Sequence, residues 1–429
     1  MFGFKKVLGD VPIQKDLVLL LVIGGLYALS TALSNTFVNV YLWKQSNGNF
    51  QDLGYYNLSV VLLQPLTFIL AGRWAKKIDR VIVLRLGVSS LAIFYITVLL
   101  IGDRASQFIL LLGGLLGIGY GFYWLAFNVL TFEITEPDTR DFFNGFLGLL
   151  GSFAGMIGPI AAGYIISSME SFTGYTVIFG VSLGLFTGAV ILSFFIKRRK
   201  AEGDFLFKRI IEERKHNLNW KYVLHAHFFQ GLREGTFVFV ISVLVFVATE
   251  SELALGKFGL INSAVSFLFY FLATRLIKKK MRKKAILIGG VLLYLSIFTI
   301  LFEVTYISLL IYGVLIAIAY PILLVPYNSL TYDVIGKGWK AKEMRIEYVV
   351  VRELYLNTGR VVSILLFLLA VTFFNEKESI PILLALIGAG HLIIYFYIRK
   401  IDMPHTSGPI QAKSAANRKL IEGEGGSTA

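Results

Sequence analysis

The chain has 429 residues, 56% of them hydrophobic and only 16% charged, with a formal net charge of +14 and no cysteine. A soluble protein of this length needs far more charge to cover its surface, so the composition excludes ordinary soluble domains. Without cysteine there is no disulfide and no thiolate metal site, and the five histidines show no metal-ligand spacing with the carboxylates.

The N-terminus, Met1-Phe2-Gly3-Phe4-Lys5-Lys6, leads into a first apolar run at Leu17–Leu42. That run is too long for a signal-peptide core and lacks a small-residue cleavage site, so it reads as an uncleaved span. Further runs of about 20 largely apolar residues follow. They are Leu53–Gly72, Val81–Gly102, Ser106–Phe132, Phe142–Ser167, Gly174–Ile196, Tyr222–Thr249, Leu255–Ile277, Ala285–Phe302, Tyr306–Tyr332, Ile346–Phe373 and Ile380–Ile398. Backbone amides find no water in lipid, so these runs must be helices. Gly113, Gly117 and Gly121 in span 4, and Gly145, Gly148, Gly151, Gly155 and Gly158 in span 5, form small-residue stripes that let helices approach closely. Between spans 6 and 7, Phe205, Leu206, Ile210 and Ile211 alternate with Lys208, Arg209, Arg214 and Lys215. This suits a short helix on the inner membrane surface. Pro321 and Pro326 bracket an expected kink beside Asn328 in span 10. From Pro404 onward the chain is polar and reads as a disordered tail.

The positive charge is distributed by side. Of the 41 Lys and Arg residues, only Lys44, Arg104, Lys257 and Lys377 fall in loops on one side. Arg233, Arg352 and Arg360 fall inside spans, and all the others lie on the opposite side. Cytoplasmic loops attract Lys and Arg, so both termini are expected in the cytoplasm and the protein in the cell membrane. Basic residues placed between apolar spans argue against nucleic-acid binding.

The two halves repeat. Phe127-Asn128-Val129-Leu130-Thr131-Phe132-Glu133-Ile134 returns as Tyr327-Asn328-Ser329-Leu330-Thr331-Tyr332-Asp333-Val334. Gly54 to Gly87 aligns without gaps on Gly256 to Gly289, so Arg73, Lys76, Lys77 and Arg80 match Arg275, Lys278, Lys279 and Arg282. The fold class expected is an all-α membrane protein with twelve transmembrane helices in two pseudo-symmetric six-helix bundles. Residues 1–196 make the first bundle, 197–220 a cytoplasmic linker, 221–400 the second bundle and 401–429 the tail. Duplicated halves are a common transporter plan, with the solute bound between them.

Twelve spans in two halves, a basic central loop and internal termini resemble the major facilitator superfamily over about residues 11–400. The family's Gly-x-x-x-Asp-Arg-x-Gly-Arg loop after helix 2 is degenerate here. The chain has Gly72-Arg73-Trp74-Ala75-Lys76-Lys77-Ile78-Asp79-Arg80, with Lys76 where Asp is usual. Glu133 to Arg140 looks like the family's acidic-then-Arg segment, with Asp333 and Arg345 similar in the second half. The resemblance implies a cytoplasmic gate in which Glu133 and Arg140 pair near Arg73, and Asp333 and Arg345 near Arg275. Ordinary interfacial charges meeting headgroups are the alternative. Gly151 to Gly163 is similar to a glycine-proline element that many drug–proton antiporters of the family carry in helix 5, which implies efflux; plain packing explains most of the same stripe.

Charges inside the bilayer cost several kcal/mol (about 2.5–3.5 on insertion scales) and face a partner or a wet cavity. His227, Gln230 and Glu234 share one face of span 7, with Glu234 about 20 Å deep at 1.5 Å per residue. Glu353, Asn357 and Arg360 share one face of span 11, and Arg352 lies off it. The first half offers only Asn35, Asn39, Gln64, Asn128 and Thr131, joined by Asn328 of the second half. In the family, helices 1, 4, 7 and 10 line the central cavity, with 2, 5, 8 and 11 contributing. Gln230, Arg233, Glu234, Glu353, Asn357 and Arg360 are therefore expected to converge there. Glu234 or Glu353 would carry a proton, and three arginines against two glutamates would favour an anionic solute. The alternative is two buried ion pairs that only set helix register. His225 and His227 are expected to meet headgroups or cap the helix rather than shuttle protons, and His391 to be packed or at the lipid edge.

The function expected is a secondary active transporter of a small solute, anionic or amphipathic, working by alternating access, proton-coupled and running as an efflux antiporter. It would act as a monomer in membrane lipid, without cofactor, metal or nucleic acid. No phosphate-binding loop or nucleophile motif argues for an enzyme. A flippase for a lipid or lipid-linked precursor, and a non-transporting scaffold or receptor, stay open as alternatives.

Overall fold

The computed structural model describes residues 14–134, 137–198 and 203–402, without the side chains of residues 132, 137–142, 144 and 145. The Arg140 side chain, the four linker residues 199–202 and the tail from 403 lie outside what is described.

Among the described residues every regular element is a helix. The first half comprises α1 (Lys15–Gln45), α2 (Phe50–Lys77), α3 (Arg80–Ile101), α4 (Ile109–Ile134), α5 (Pro137–Ser167) and α6 (Thr173–Ser193). The second comprises α7 (Leu218–Thr249), α8 (Glu252–Leu276), α9 (Arg282–Leu295, resumed at Phe298–Leu301), α10 (Tyr306–Gly336), α11 (Arg345–Phe373) and α12 (Glu376–Gly388, resumed at Gly390–Ile398). Eleven stretches are long and apolar enough to cross a membrane, one of them 52 residues long from Arg80 to Thr131. A straight helix of that length would be about 78 Å long, far beyond a bilayer core. The 3₁₀ turn Gly102–Phe108 folds it back into α3 and α4, which gives twelve membrane-crossing helices among the described residues.

Local chemistry sets where helices start. Side-chain caps from Asn49, Asp79, Asn217, Ser251, Thr305 and Asn375 open α2, α3, α7, α8, α10 and α12. Each cap satisfies an amide that would otherwise lack a partner, worth about 1 kcal/mol. Lipid supplies the rest, because the backbone can pair only with itself. Pro321 and Pro326 both lie inside α10, which runs on without interruption through them.

Packing repeats between the halves. In the first, α1 packs on α5 and α6, α4 on α2 and α3, and α3 on α6. In the second, α7 packs on α11 and α12, α10 on α8 and α9, and α9 on α12. The bundles meet through α2 against α11 and α5 against α8, two contacts that exchange under the same two-fold relation. The glycine stripe of α4 does what its spacing predicts: a Cβ at Gly117 would stand 2.5 Å from the Val60 carbonyl oxygen of α2.

The linker helix, Phe207–Glu212, does more than lie on lipid. Ile210 is fully buried, and its carbonyl accepts from Trp220 Nε1 at 3.2 Å. The linker is thereby seated on the second bundle.

Candidate functional site

A cavity of 520 Å³ lies between the bundles. It is walled by α1, α2 and α4 on one side and by α7, α10 and α11 on the other. Its position follows from how α7 meets α11. A Cβ at Gly231 would stand 1.9 Å from the Leu356 carbonyl oxygen, and one at Gly359 2.0 Å from that of Phe228. Only glycine permits this approach, which lets polar groups of the two helices pair across the seam.

Glu234 Oε2 accepts from Arg360 Nη2 at 2.7 Å, and Glu234 Oε1 from Gln230 Nε2 at 2.8 Å. Arg352 Nη2 donates to Glu353 Oε1 at 2.7 Å. All five of these residues line the cavity. From the first bundle Asn35, Asn39, Gln64 and Asn128 line it too, and Asn328 joins from α10. Asn35 accepts from the Tyr120 hydroxyl at 3.1 Å, and Asn39 from Asn57 Nδ2 at 3.1 Å. The cavity thus joins ion pairs on one bundle to neutral hydrogen-bonding groups on the other.

Four expectations need correction. Arg233 does not face this cavity. It follows Gly231 and Leu232 on the opposite flank of α7, fully buried, with its guanidinium against Phe237, Tyr320 and Tyr312. Asn357 is fully buried behind the wall, where Nδ2 donates to the Glu353 carbonyl at 2.9 Å and Oδ1 lies 3.4 Å from Arg360 Nη1. Arg352 is not off the polar face: its long side chain curls back to its neighbour Glu353, with the guanidinium 6.0 Å from the Tyr332 ring centre. His227 is not at a headgroup. It is 3% exposed, lines the cavity and bonds Tyr327 through Nδ1 at 2.7 Å. The ion pairs facing the cavity are therefore two and two, and the positive excess expected there is absent. His391 is fully buried against Tyr320, as packing required.

Asn57, Tyr120 and Tyr332 also line the cavity, although the sequence reading does not single them out. Asn57 carries a signal: it is a polar residue seven positions before Gln64, hence on the same face of α2. The tyrosines carry none among the 21 in the chain.

Of the expected gate, the Glu133–Arg140 pairing lies outside the described residues; the pairs that are described lie within each bundle. Glu133 pairs with Arg80 at 2.5 Å, and Asp333 with Arg282 at 2.8 Å. These pairs are equivalent in the repeat, yet each lies within its own bundle. Arg73 and Arg275 are exposed, and Arg275 lies over its own helix's Phe271. Arg345 lines a second hollow of 470 Å³ at the basic end, beside Glu133 and Arg80. Among the described residues, an ion pair crosses between the bundles at this end: Lys76 to Glu347, at 2.5 Å, with Lys76 6% and Glu347 0% exposed. Glu347 also accepts from the Leu206 amide at 3.1 Å, and Lys76 donates to the Asp204 carbonyl at 3.1 Å. The linker is therefore a third party to the contact. At the other end Lys44 of α1 pairs with Glu252 of α8 at 2.9 Å, and Glu252 also accepts from Tyr175 at 2.9 Å. A cross-bundle ion pair thus holds each end of the cavity.

Comparison with known proteins agrees with this architecture. The family model described as Major Facilitator Superfamily matches residues 20–344. The chain is 60% identical over 421 residues to the protein YqgE of Bacillus subtilis (strain 168), covering 98% of each. It is 62% identical over 208 residues to a protein of Geobacillus stearothermophilus encoded in the sodM 3′ region, covering 48% of this chain and 97% of that one. Its fold is similar to the human organic anion transporter MFSD10, with a TM-score of 0.64, 15% identity and coverage of 91% of this chain and 100% of that one. It is similar also to the nucleoside transporter NupG, with a TM-score of 0.68, 12% identity and coverage of 90% and 99%. The family match over most of the chain, the twelve apolar helices and the repeated packing agree on a multi-pass membrane transporter and not an enzyme: the chain belongs to the major facilitator superfamily.

Proposed function

We propose that this chain is a secondary active transporter that moves a small solute by alternating access and couples the movement to protons. It acts in the cytoplasmic membrane with both termini inside, as the one-sided Lys and Arg distribution supports. The observation that carries the proposal is the Glu234–Arg360 pair, joined by Glu353–Arg352, on the wall of a cavity shared by both bundles.

Charges are costly at this depth unless balanced. While Glu234 is ionised it occupies Arg360. Protonating Glu234 removes its charge and leaves the Arg360 guanidinium open to a solute group. A solute anion then binds together with the proton, and a solute cation competes with the proton for Glu234. Gln230, hydrogen-bonded to Glu234, orients the carboxyl in either state. Asn35, Asn39, Gln64, Asn128 and Asn328 hydrogen-bond the rest of the solute. Movement between states requires the cross-bundle pairs to separate in alternation: Lys76–Glu347 when the cytoplasmic end opens, Lys44–Glu252 when the other end opens. Opening both at once would leak.

Proteoliposomes with an internal pH dye test this. A metabolite and drug panel added outside will include solutes that move protons in the wild type. Glu234→Gln and Glu353→Gln will abolish that movement, each or together. Full pH-gradient-driven flux in both variants would reject the proton role.

A further inference from the structure

Arg233 borders a second cavity, of 330 Å³, on the far flank of α7. The cavity draws on both bundles, with Thr36 of α1 and Pro159 of α5 facing Phe258 of α8 and Ile316 of α10. Val238 lines this cavity and the central one, so the two adjoin there.

The charge balance here is unusual. Arg233 is fully buried, and among the described residues no carboxylate comes within 4.0 Å of it. Glu234, its neighbour in sequence, turns to Arg360 instead. The Arg233 guanidinium is held by rings, 4.3 Å from the Phe237 centre and 5.2 Å from that of Tyr320. It donates to the hydroxyls of Tyr312, at 3.2 Å, and Tyr320. Those hydroxyls act as acceptors, so their own protons stay available, and Arg233 Nε is buried with no hydrogen-bond partner. An unpaired buried cation is expensive, and all three free groups are donors. The rest of the wall is mainly apolar, including Ile241, Leu255 and Phe258.

We infer that this second cavity is a binding site for an organic anion with an apolar body, whose oxyanion neutralises Arg233 and takes the tyrosine O–H donors. The size suits a small amphipathic molecule, at the low end of ligand pockets. The site goes beyond the transport reading and does not depend on Glu234 carrying a proton. A free carboxylate and a lipid phosphate share the recognised chemistry.

Calorimetric titration of the purified full chain with 2-naphthoate and its uncharged counterpart 2-naphthamide tests the site. The wild type will bind naphthoate about tenfold or more tighter than the amide, as charge-assisted hydrogen bonds require. Arg233→Gln will reduce naphthoate to the level of the amide. Ile241→Trp fills the cavity away from the guanidinium, will weaken both probes, and decides the matter if Arg233→Gln does not fold. Arg275→Gln, exposed and lining neither cavity, will leave naphthoate affinity within about twofold. Absent naphthoate binding, equal affinity for the two probes, or loss in Arg275→Gln but not in Arg233→Gln would overturn the site. Competition by added phosphatidylglycerol in the wild type would assign the oxyanion to a lipid headgroup, and its absence to a free carboxylate. Failure of the Glu234→Gln flux test with naphthoate binding intact would remove the proton mechanism and leave this site standing.

Discussion

Breaking the Lys76–Glu347 pair should open one end of the molecule. Glu347 is fully buried and Lys76 nearly so, and they meet at 2.5 Å between α2 and α11. Glu347→Gln leaves the ammonium of Lys76 buried with the Asp204 carbonyl and weakens the Leu206 amide bond. Removing one partner of a buried pair costs about 3–5 kcal/mol. Because the pair spans the bundles, that cost falls on the closed state and is relieved when the end opens. At about 1.4 kcal/mol per factor of ten, the equilibrium shifts by about two to three and a half orders of magnitude. The absence of native cysteine makes the assay direct. Asn128→Cys places one thiol at the boundary of the central cavity and the hollow at the basic end. A membrane-impermeant maleimide applied from that side will label it about 10- to 100-fold faster in Glu347→Gln, the smaller figure allowing for a rate limit set by the thiol. The double variant Lys76→Gln/Glu347→Gln will return most of the protection, since no bare charge remains. Unchanged labelling in the single variant, or equal labelling in single and double, would refute the reasoning.

The other end should respond less. Lys44 is 30% exposed against 11% for Glu252, so Glu252→Gln should cost about 1 kcal/mol and raise labelling from the opposite side only several-fold. Gly231→Ala puts a Cβ onto the Leu356 carbonyl and forces α7 from α11, so it should lower the melting temperature by an amount matching about 1–3 kcal/mol and weaken proton flux even in folded protein. A melting temperature equal to wild type would contradict the close approach. Tyr327→Phe removes the hydrogen bond to His227 and should cost about 1 kcal/mol, read by thermal unfolding, with no change in thiol labelling at either end.

Several site residues are legible in the sequence because helices have a fixed period. Gln230 and Glu234, and Glu353 and Arg360, lie on common faces of α7 and α11, and the spacing puts them in one cavity wall. Arg233 departs from that expectation because it is one residue from Glu234, about 100° around the helix. Which of two adjacent charges looks inward depends on the rotation of α7 against α11, set here by glycines at 231 and 359. The gate differs for a related reason. Arg73 and Arg80 read as one basic run, but α2 ends at Lys77 and Arg80 opens α3. Of these two, Arg80 is therefore the one that meets Glu133.

Taken alone, the sequence determined the helical spans, their duplication and the polar stripes of α7 and α11, because lipid leaves the backbone no other partner and the repeat is written in the residues. Tertiary structure alone decided that Lys76 meets Glu347, 271 positions away, and that Arg233 turns from Glu234 to a cage of rings. Such contacts depend on which helices touch and how each is rotated about its axis, and neither quantity is a property of any local stretch of chain.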